Sequence, residues 1–523
     1  AIREAERLGA KVRDRDCRGR TDFRSMTTVT IDGEHARDFD DAITLERLPS
    51  GNFLLGVHIA DVSHYVRPGS ELDREARERG TSVYFPERAV HMFPAVLSTG
   101  LCSLNPNVDR LVQSCLIEIS ERGKVVRHEL HDGMIHSDAR MTYEDVSAIL
   151  AEGDAAVRAR YAELVPVFEL MHKLFEILSR RRRRRGSIDF DLQEPEFVLS
   201  ETGSVADITA TKRNVAHCII EEFMLIANEV VATHLRDHDI PTLYRVHDSP
   251  DVRKVAEFED FITTFGHSLA APKGNATPKH FQQLAKRIKG TPEEKPVAIM
   301  MLRTMQKARY DSTADGHFGL AMSNYTHFTS PIRRYPDLVV HRALRALPKK
   351  KLSTSKRQQL ADGLPDLATE TSELERRAEE AERELVQWKK VRFMSDKVGD
   401  ECEGYLIGVT SFGLFVQLDE PFVEGLVHIS SMADDYYRFI EREHVLFGEA
   451  TGKRYRLGDR VTVQVVRVDM ERHQVDLGLV DILESVRASE KHRGARRSRA
   501  RTPQANSGQR RKRHKGRRRV RAR

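Results

Sequence analysis

Cysteine is scarce and scattered in this chain: five in 523 residues, at Cys17, Cys102, Cys115, Cys218 and Cys402, with no Cys-x-x-Cys pair. Such spacing supports neither a disulfide framework nor a zinc site. Also lacking is an apolar run long enough to cross a bilayer. The nearest, 218–231, is interrupted by Glu221 and Glu222. With no signal peptide in view either, the expectation is a cytoplasmic protein that makes no membrane contact. The chain opens on Ala1 rather than Met, so we expect a portion ahead of it. Acid is missing from one place: residues 491–523 hold 16 Lys and Arg and no Asp or Glu. The remainder carries 69 basic against 79 acidic residues, so the net charge of +6 conceals a body of −10. A one-signed block rich in Ser, Gly and Gln cannot bury a core, and 484–523 reads as a disordered basic tail. Its favoured partner is nucleic acid, because phosphates neutralised by Lys and Arg release their counterions.

Against that background, acid is concentrated in one short stretch. Asp32, Asp38, Asp40 and Asp41 fall within ten residues, directly behind the apolar run Met26 to Ile31. Carboxylates crowded in this way repel one another unless cations, donors or raised pKa values absorb the charge. Hard divalent metal does so economically, and Mg²⁺ with its retained waters and substrate phosphates makes such a cluster a candidate phosphoryl-transfer centre. A solvated acidic turn is the plainer alternative. An EF-hand calcium loop fits poorly, since the turn Gly and closing Glu miss their positions after Asp32. Ala42 to Leu45, a Pro49-Ser50-Gly51-Asn52 turn and Phe53 to Ala60 then form a hairpin pattern, which places the carboxylates at strand ends.

A chain of this length should hold several domains. Residues 1–25 are charged and read as a linker or the remnant of an upstream region. From 26 to 395 strands come first and long helices later, as in one large α+β domain. Helical patterns are clear over 212–238 and 366–396, and six arginines, Arg180 to Arg185, end a helix around 163–179. They read either as a solvated helix end or as a phosphate-contacting rim. From 398 to 482 the texture changes to five short strands with glycines, which suits a small all-β barrel of the OB type. A cation to partner the carboxylates is offered by the stretch from His317 to Leu338. There Ser330-Pro331 has the form of a helix N-terminus beside Arg333, although Pro336 requires a kink or a fresh start at Tyr335.

With these residues placed, the chain resembles the ribonuclease R family of the RNase II/RNB superfamily of 3′-to-5′ exoribonucleases. The resemblance is carried by Thr30 to Ala42, Ile59 to Val66, Gly80 to Pro86, Leu101 to Pro106 and His317 to Leu338. The barrel stretch resembles the S1 RNA-binding domain through Phe412-Gly413-Leu414-Phe415-Val416 and Glu424 to Ser430. Phe412, Phe415 and His428 are then candidates for base stacking, with one of the two Phe expected in the core.

The resemblance implies that Asp32, Asp38, Asp40 and Asp41 hold Mg²⁺, two ions during catalysis, and that Arg333 binds the scissile phosphate. It also implies that Tyr84 and Phe190 clamp the 3′-terminal bases, each being a core aromatic in the plainer reading. Tyr143 and Glu221 fall near the ribose, where a 2′-hydroxyl is read, and Glu382 near the RNA 3′ end; Glu221 could instead be a paired helix carboxylate. The implied activity is processive, metal-assisted hydrolysis to nucleoside 5′-monophosphates. Its implied partners are single-stranded RNA 3′ ends and structured RNA with a 3′ overhang. Ribosome and helicase contacts stay open, and nothing demands more than a monomer. A relative that stalls at duplex and a non-catalytic RNA-binding factor are the competing readings. Two departures stand out: His35 occupies a position where related chains often have Asp, and the cold-shock domains usual ahead of the catalytic domain are absent from these residues.

Overall fold

The computed structural model describes residues 1–189, 193–200, 204–272, 275–346 and 353–488. Phe190 and the expected tail beyond 488 lie outside them. A seven-stranded sheet organises the first half, in the order Thr21–Asp22, Val125–His136, Asp109–Ile119, Phe53–Ala60, Asp41–Arg47, Val29–Asp32 and Ala139–Thr142. The expected hairpin is present, with Asp41 opposite Ile59 and Arg47 opposite Phe53. Phe53–Ala60 sits in the middle of the sheet and is buried almost throughout, which is why it reads as a continuous apolar run and not as an alternation.

Both faces of the sheet are covered. Helices Val165–Arg185 and Val215–Asp237 press on one, through Phe168, Met171, Ile219 and Phe223, against Ile31, Ile43, Leu55 and Val57. On the other, helix Glu71–Arg79 and the start of helix Tyr335–Arg345 join Ala42, Ala60 and Val112. The result is the expected α+β class. A separate core, built around Phe258, Phe281 and Met301, belongs to three helices inserted between 252 and 304.

Three boundaries differ from expectation. Residues 1–25 are not a linker: Ala5 and Phe23 are in the core, and Arg20 Nη2 reaches buried Asp61 Oδ2 at 2.6 Å. Charge-rich composition hid a segment anchored by two buried apolar residues, Ala5 and Phe23. The helix expected to end at 179 runs through the arginines to Arg185 and stops at Gly186, whose φ of 106° is the left-handed region glycine tolerates. Arg182 is buried against Glu222 at 2.5 Å and Arg185 meets Glu229 at 2.8 Å, so these two tie the helix to its neighbour, while Arg183 and Arg184 stay exposed. The tail boundary at 484 falls inside a helical stretch, 480–488.

Strands Glu401–Thr410, Gly413–Leu418, Glu424–His428, Gln474–Leu479 and Arg460–Asp469 close the expected barrel. A three-stranded sheet between 437 and 456, which the strand count missed, is appended to it. Helix Leu364–Met394 spans both regions: Glu382 touches the first, while Val391 and Met394 enter the barrel core. Among the described residues no helix is long and apolar enough to cross a membrane.

Candidate active site

Asp32 is the last residue of its strand and Asp41 the first of the next, so two adjacent strand ends present carboxylates to the same side. The connection between them is braced from outside. Arg140 Nη2 donates to the Gly33 and Glu34 carbonyls at 2.8 and 2.5 Å, and the Phe39 amide donates to Ser103 Oγ at 3.0 Å. That bracing sets where Asp38 and Asp40 point.

Asp40 is 4% exposed; its Oδ1 accepts the Ile332 amide at 2.8 Å, while Oδ2 has no hydrogen-bond partner among the described residues. Arg333 Nε stands 3.7 Å from that Oδ2, too far for a hydrogen bond. Asp32 Oδ2 is likewise buried and unpartnered. Burial pushes both carboxyls well above the usual range, with Asp41 and Asp38 adding to the effect on Asp32 and Arg333 partly opposing it on Asp40. Burial takes Asp41 up to about 6 against the pull of Arg333 and Arg334. Asp38 Oδ2 accepts the Tyr84 hydroxyl at 2.7 Å and lies 3.7 Å from His91 Nδ1.

The four aspartates line a cavity of about 250 Å³ together with Arg333 and Arg334. Tyr143 and Glu221 line it too. Tyr143 stacks on His217 with ring centroids 3.8 Å apart, and burial and Asp41 keep its phenol protonated. Glu221 is paired with Arg213, so the helix-pair reading and the cavity reading both hold for it. Tyr84 is 40% exposed, which removes its core reading, and its backbone amide donates to Glu382 Oε1 at 2.6 Å. The structure therefore gathers Asp32, Asp38, Asp40, Asp41, Arg333, Tyr143 and Glu221 around one space, with Tyr84 and Glu382 joined beside it.

The barrel candidates stand apart from this cavity. Leu414, Val416 and Leu418 alternate into the barrel core, so Phe415 faces outward, at 5.8 Å from the 46%-exposed Phe412. Neither Phe is in the core, contrary to the expectation for one of them: the period of two had assigned the inward places to the aliphatic residues. His428 is exposed as well.

Among the described residues no three His, Cys, Asp or Glu side chains are grouped so that they could together hold a metal ion. Mg²⁺ does not require such a group, because it usually takes one or two carboxylates and completes its shell with water and phosphate. Two buried, unpartnered carboxylate oxygens facing one cavity suit that open mode of binding.

The turn carrying Arg333 is not the helix start that Ser330-Pro331 suggested. Residues 331–333 form a turn, and the helix begins at Tyr335, the other outcome Pro336 allowed. Arg140 and His91 went unnoticed in the sequence, where nothing local marks them, and Ser103 stood out only as part of the stretch Leu101 to Pro106. Asp337 did carry a signal, its i, i+3 spacing from Arg334.

A family model described as RNB domain matches residues 20–350, and one described as S1 RNA binding domain matches 395–479. Ribonuclease R of Aquifex aeolicus is 43% identical over 484 residues, covering 92% of this chain and 68% of that protein. The chain belongs to the ribonuclease R family. Ribonuclease R 1 of Lactococcus lactis is 43% identical over 502 residues, 95% of this chain and 61% of that protein. The chain thus spans about three fifths of the length of such curated relatives. Among solved structures, Mycoplasma genitalium RNase R in complex with ribose methylated single-stranded RNA superposes with a TM-score of 0.85 at 30% identity, covering 91% of this chain and 74% of that one. The ribonuclease R fold is therefore present from the N-terminal strand to the barrel.

Proposed function

We propose that this chain is a processive 3′-to-5′ exoribonuclease, active on single-stranded RNA and on structured RNA with a 3′ overhang, releasing nucleoside 5′-monophosphates. The observation that carries the proposal is the cavity in which unpartnered carboxylate oxygens of Asp32 and Asp40 face Arg333. Uncompensated buried charge is costly to a fold and marks a functional site. Family membership and the RNA complex of the Mycoplasma relative support RNA as the substrate.

In this reading Asp32, Asp38, Asp40 and Asp41 hold divalent metal, Mg²⁺ and two ions in the full complement. When bound, that metal supplies Lewis acidity and a water of lowered pKa. Arg333 binds the scissile phosphate and balances charge as the bond breaks. Tyr84, aimed by Asp38 and Glu382, carries the terminal base, with Phe190 as its proposed companion. Tyr143 and Glu221 read the ribose. Phe412, Phe415 and His428 hold the strand further out by stacking.

A 5′-labelled oligoribonucleotide incubated with and without Mg²⁺ tests the proposal. Progressive shortening to a very short 5′ fragment is expected, whereas a mobility shift alone would return the chain to the class of RNA-binding factors. Repeating the assay on a hairpin with a 3′ overhang separates an enzyme that enters duplex from one that stalls there.

A further inference from the structure

The phosphate-binding half of the cavity rests on a residue that does not line it. We propose that Asp337 is a positioning residue: it builds the turn that delivers Arg333 and the Ile332 amide to Asp40, and it locks Arg334 into the cavity wall. The inference deepens the reading of the cavity as a phosphodiester-cleaving centre and rests on it.

Asp337 has no exposed surface. A carboxylate so placed must be met by donors, and three converge on it. The Ser330 amide donates to Oδ1 at 2.7 Å, Arg334 Nη2 to Oδ1 at 2.8 Å, and Arg334 Nε to Oδ2 at 2.9 Å. The last two form the parallel fork in which a guanidinium is held by orientation as well as charge. This is not ordinary helix capping. Asp337 is the third residue of its helix, and the residue at the N-cap, Arg334, has no acceptor to offer. In a capping box the third residue reaches back to the N-cap amide; here it reaches four residues further, to Ser330.

That reach closes a turn. The Arg333 and Arg334 amides both donate to the Ser330 carbonyl, at 3.3 and 2.9 Å. Its outer edge is fixed by the Tyr84 segment, since the Ser82 amide and Thr81 Oγ1 donate to the Arg333 carbonyl at 2.9 and 3.0 Å. Its tip is fixed by Asp40, through the Ile332 amide at 2.8 Å. Asp337 supplies the third, inner anchor. Without it the Ser330 amide and a partly buried guanidinium lose their acceptor together, and the turn loses the anchor that aims Arg333 across the carboxylates. Arg334 lines the same cavity, so Asp337 also fixes the position of a cation in that wall.

The test is steady-state kinetics on a labelled oligoribonucleotide with the full chain and divalent metal, for Asp337→Asn, Asp337→Ala, Arg333→Ala and the double variant Arg333→Ala/Asp337→Asn. Asn keeps the size and one acceptor oxygen but not the charge. Asp337→Asn is expected to lower kcat about tenfold with KM within about twofold, and Asp337→Ala to lower it about a hundredfold. In the Arg333→Ala background, Asp337→Asn should add clearly less than its own tenfold, because the part of its effect that passes through Arg333 has already been removed. Full multiplication of the two losses, or a normal kcat for Asp337→Asn, overturns the positioning role while leaving the cavity reading intact. A normal kcat for Arg333→Ala overturns both. Thermal unfolding of each variant accompanies the assay, and if Asp337→Ala does not fold, Asp337→Asn and the double variant decide the matter alone.

Discussion

Asp40 and Asp61 flank two neighbouring strands of the same sheet, one just before Asp41–Arg47 and one just after Phe53–Ala60; they are 4% and 1% exposed, and the fold treats them in opposite ways. Asp61 Oδ2 is held by Arg20 at 2.6 Å and by Arg345, and its Oδ1 accepts Ser63 Oγ and the His64 amide at 3.0 and 3.1 Å. Burial alone would raise its pKa, yet the two guanidinium groups outweigh burial and take it down to about 2. Asp40 receives one amide and a distant Arg333, and burial drives it up. One buried carboxylate is neutralised by the chain, and the other keeps an oxygen without a partner among the described residues, in the wall of the cavity. Stability and function are thus separable at the level of a single residue type.

The largest expected effect on stability comes from the solved pair. Asp61→Asn leaves buried Arg20 without an anion and Arg345 with only the exposed Asp132, 3.0 Å away, which should cost about 3 kcal/mol in urea unfolding. If the loss is under about 1 kcal/mol, the contrast with Asp40 collapses. The same carboxyl sets an acid limit: its contribution is present above about pH 4 and is lost as pH falls toward about 2.

Asp41 runs the other way. In metal-free protein the folded state holds its proton up to about pH 6, so the stability it contributes is complete below about pH 4 and lost as pH rises through 6. Up to about 3 kcal/mol should disappear over that interval, and Asp41→Asn should flatten the curve. An unchanged slope in the variant would assign the titration elsewhere.

Arg333→Lys keeps the charge and removes the planar fork, so a loss of about thirtyfold in kcat is expected, with melting unchanged because the side chain is 46% exposed. The smallest effect belongs to the barrel. Phe412→Ala should weaken binding of a long oligoribonucleotide about tenfold and leave cleavage of a very short one unaltered. Equal losses on both lengths would place Phe412 nearer the chemistry than its position on the barrel surface suggests.

Short-range order was legible in the sequence. The Asp41 hairpin, helices Val215–Asp237 and Leu364–Met394 and the five barrel strands all declare themselves by periodicity and turn residues. Strand-end carboxylates followed directly from the hairpin. Illegible were contacts between distant segments: the Ile332 amide on Asp40, 292 residues away, or Arg140 on the Gly33 carbonyl, 107 away. Periodicity records which face of an element is apolar, not which element meets it. Composition misled in the packed segment 1–25 and left the arginine run open, because a charged stretch with a few well-placed apolar or paired residues looks solvated in sequence.

The most direct test is to measure exonuclease rate and metal-free thermal stability together on Asp40→Asn. The account expects the rate to fall on the order of a thousandfold while the melting temperature stays level or rises, since Asn keeps an oxygen for the Ile332 amide and removes a carboxyl whose charged form burial disfavours. A normal rate, or a melting temperature that drops as it does for Asp61→Asn, would contradict it.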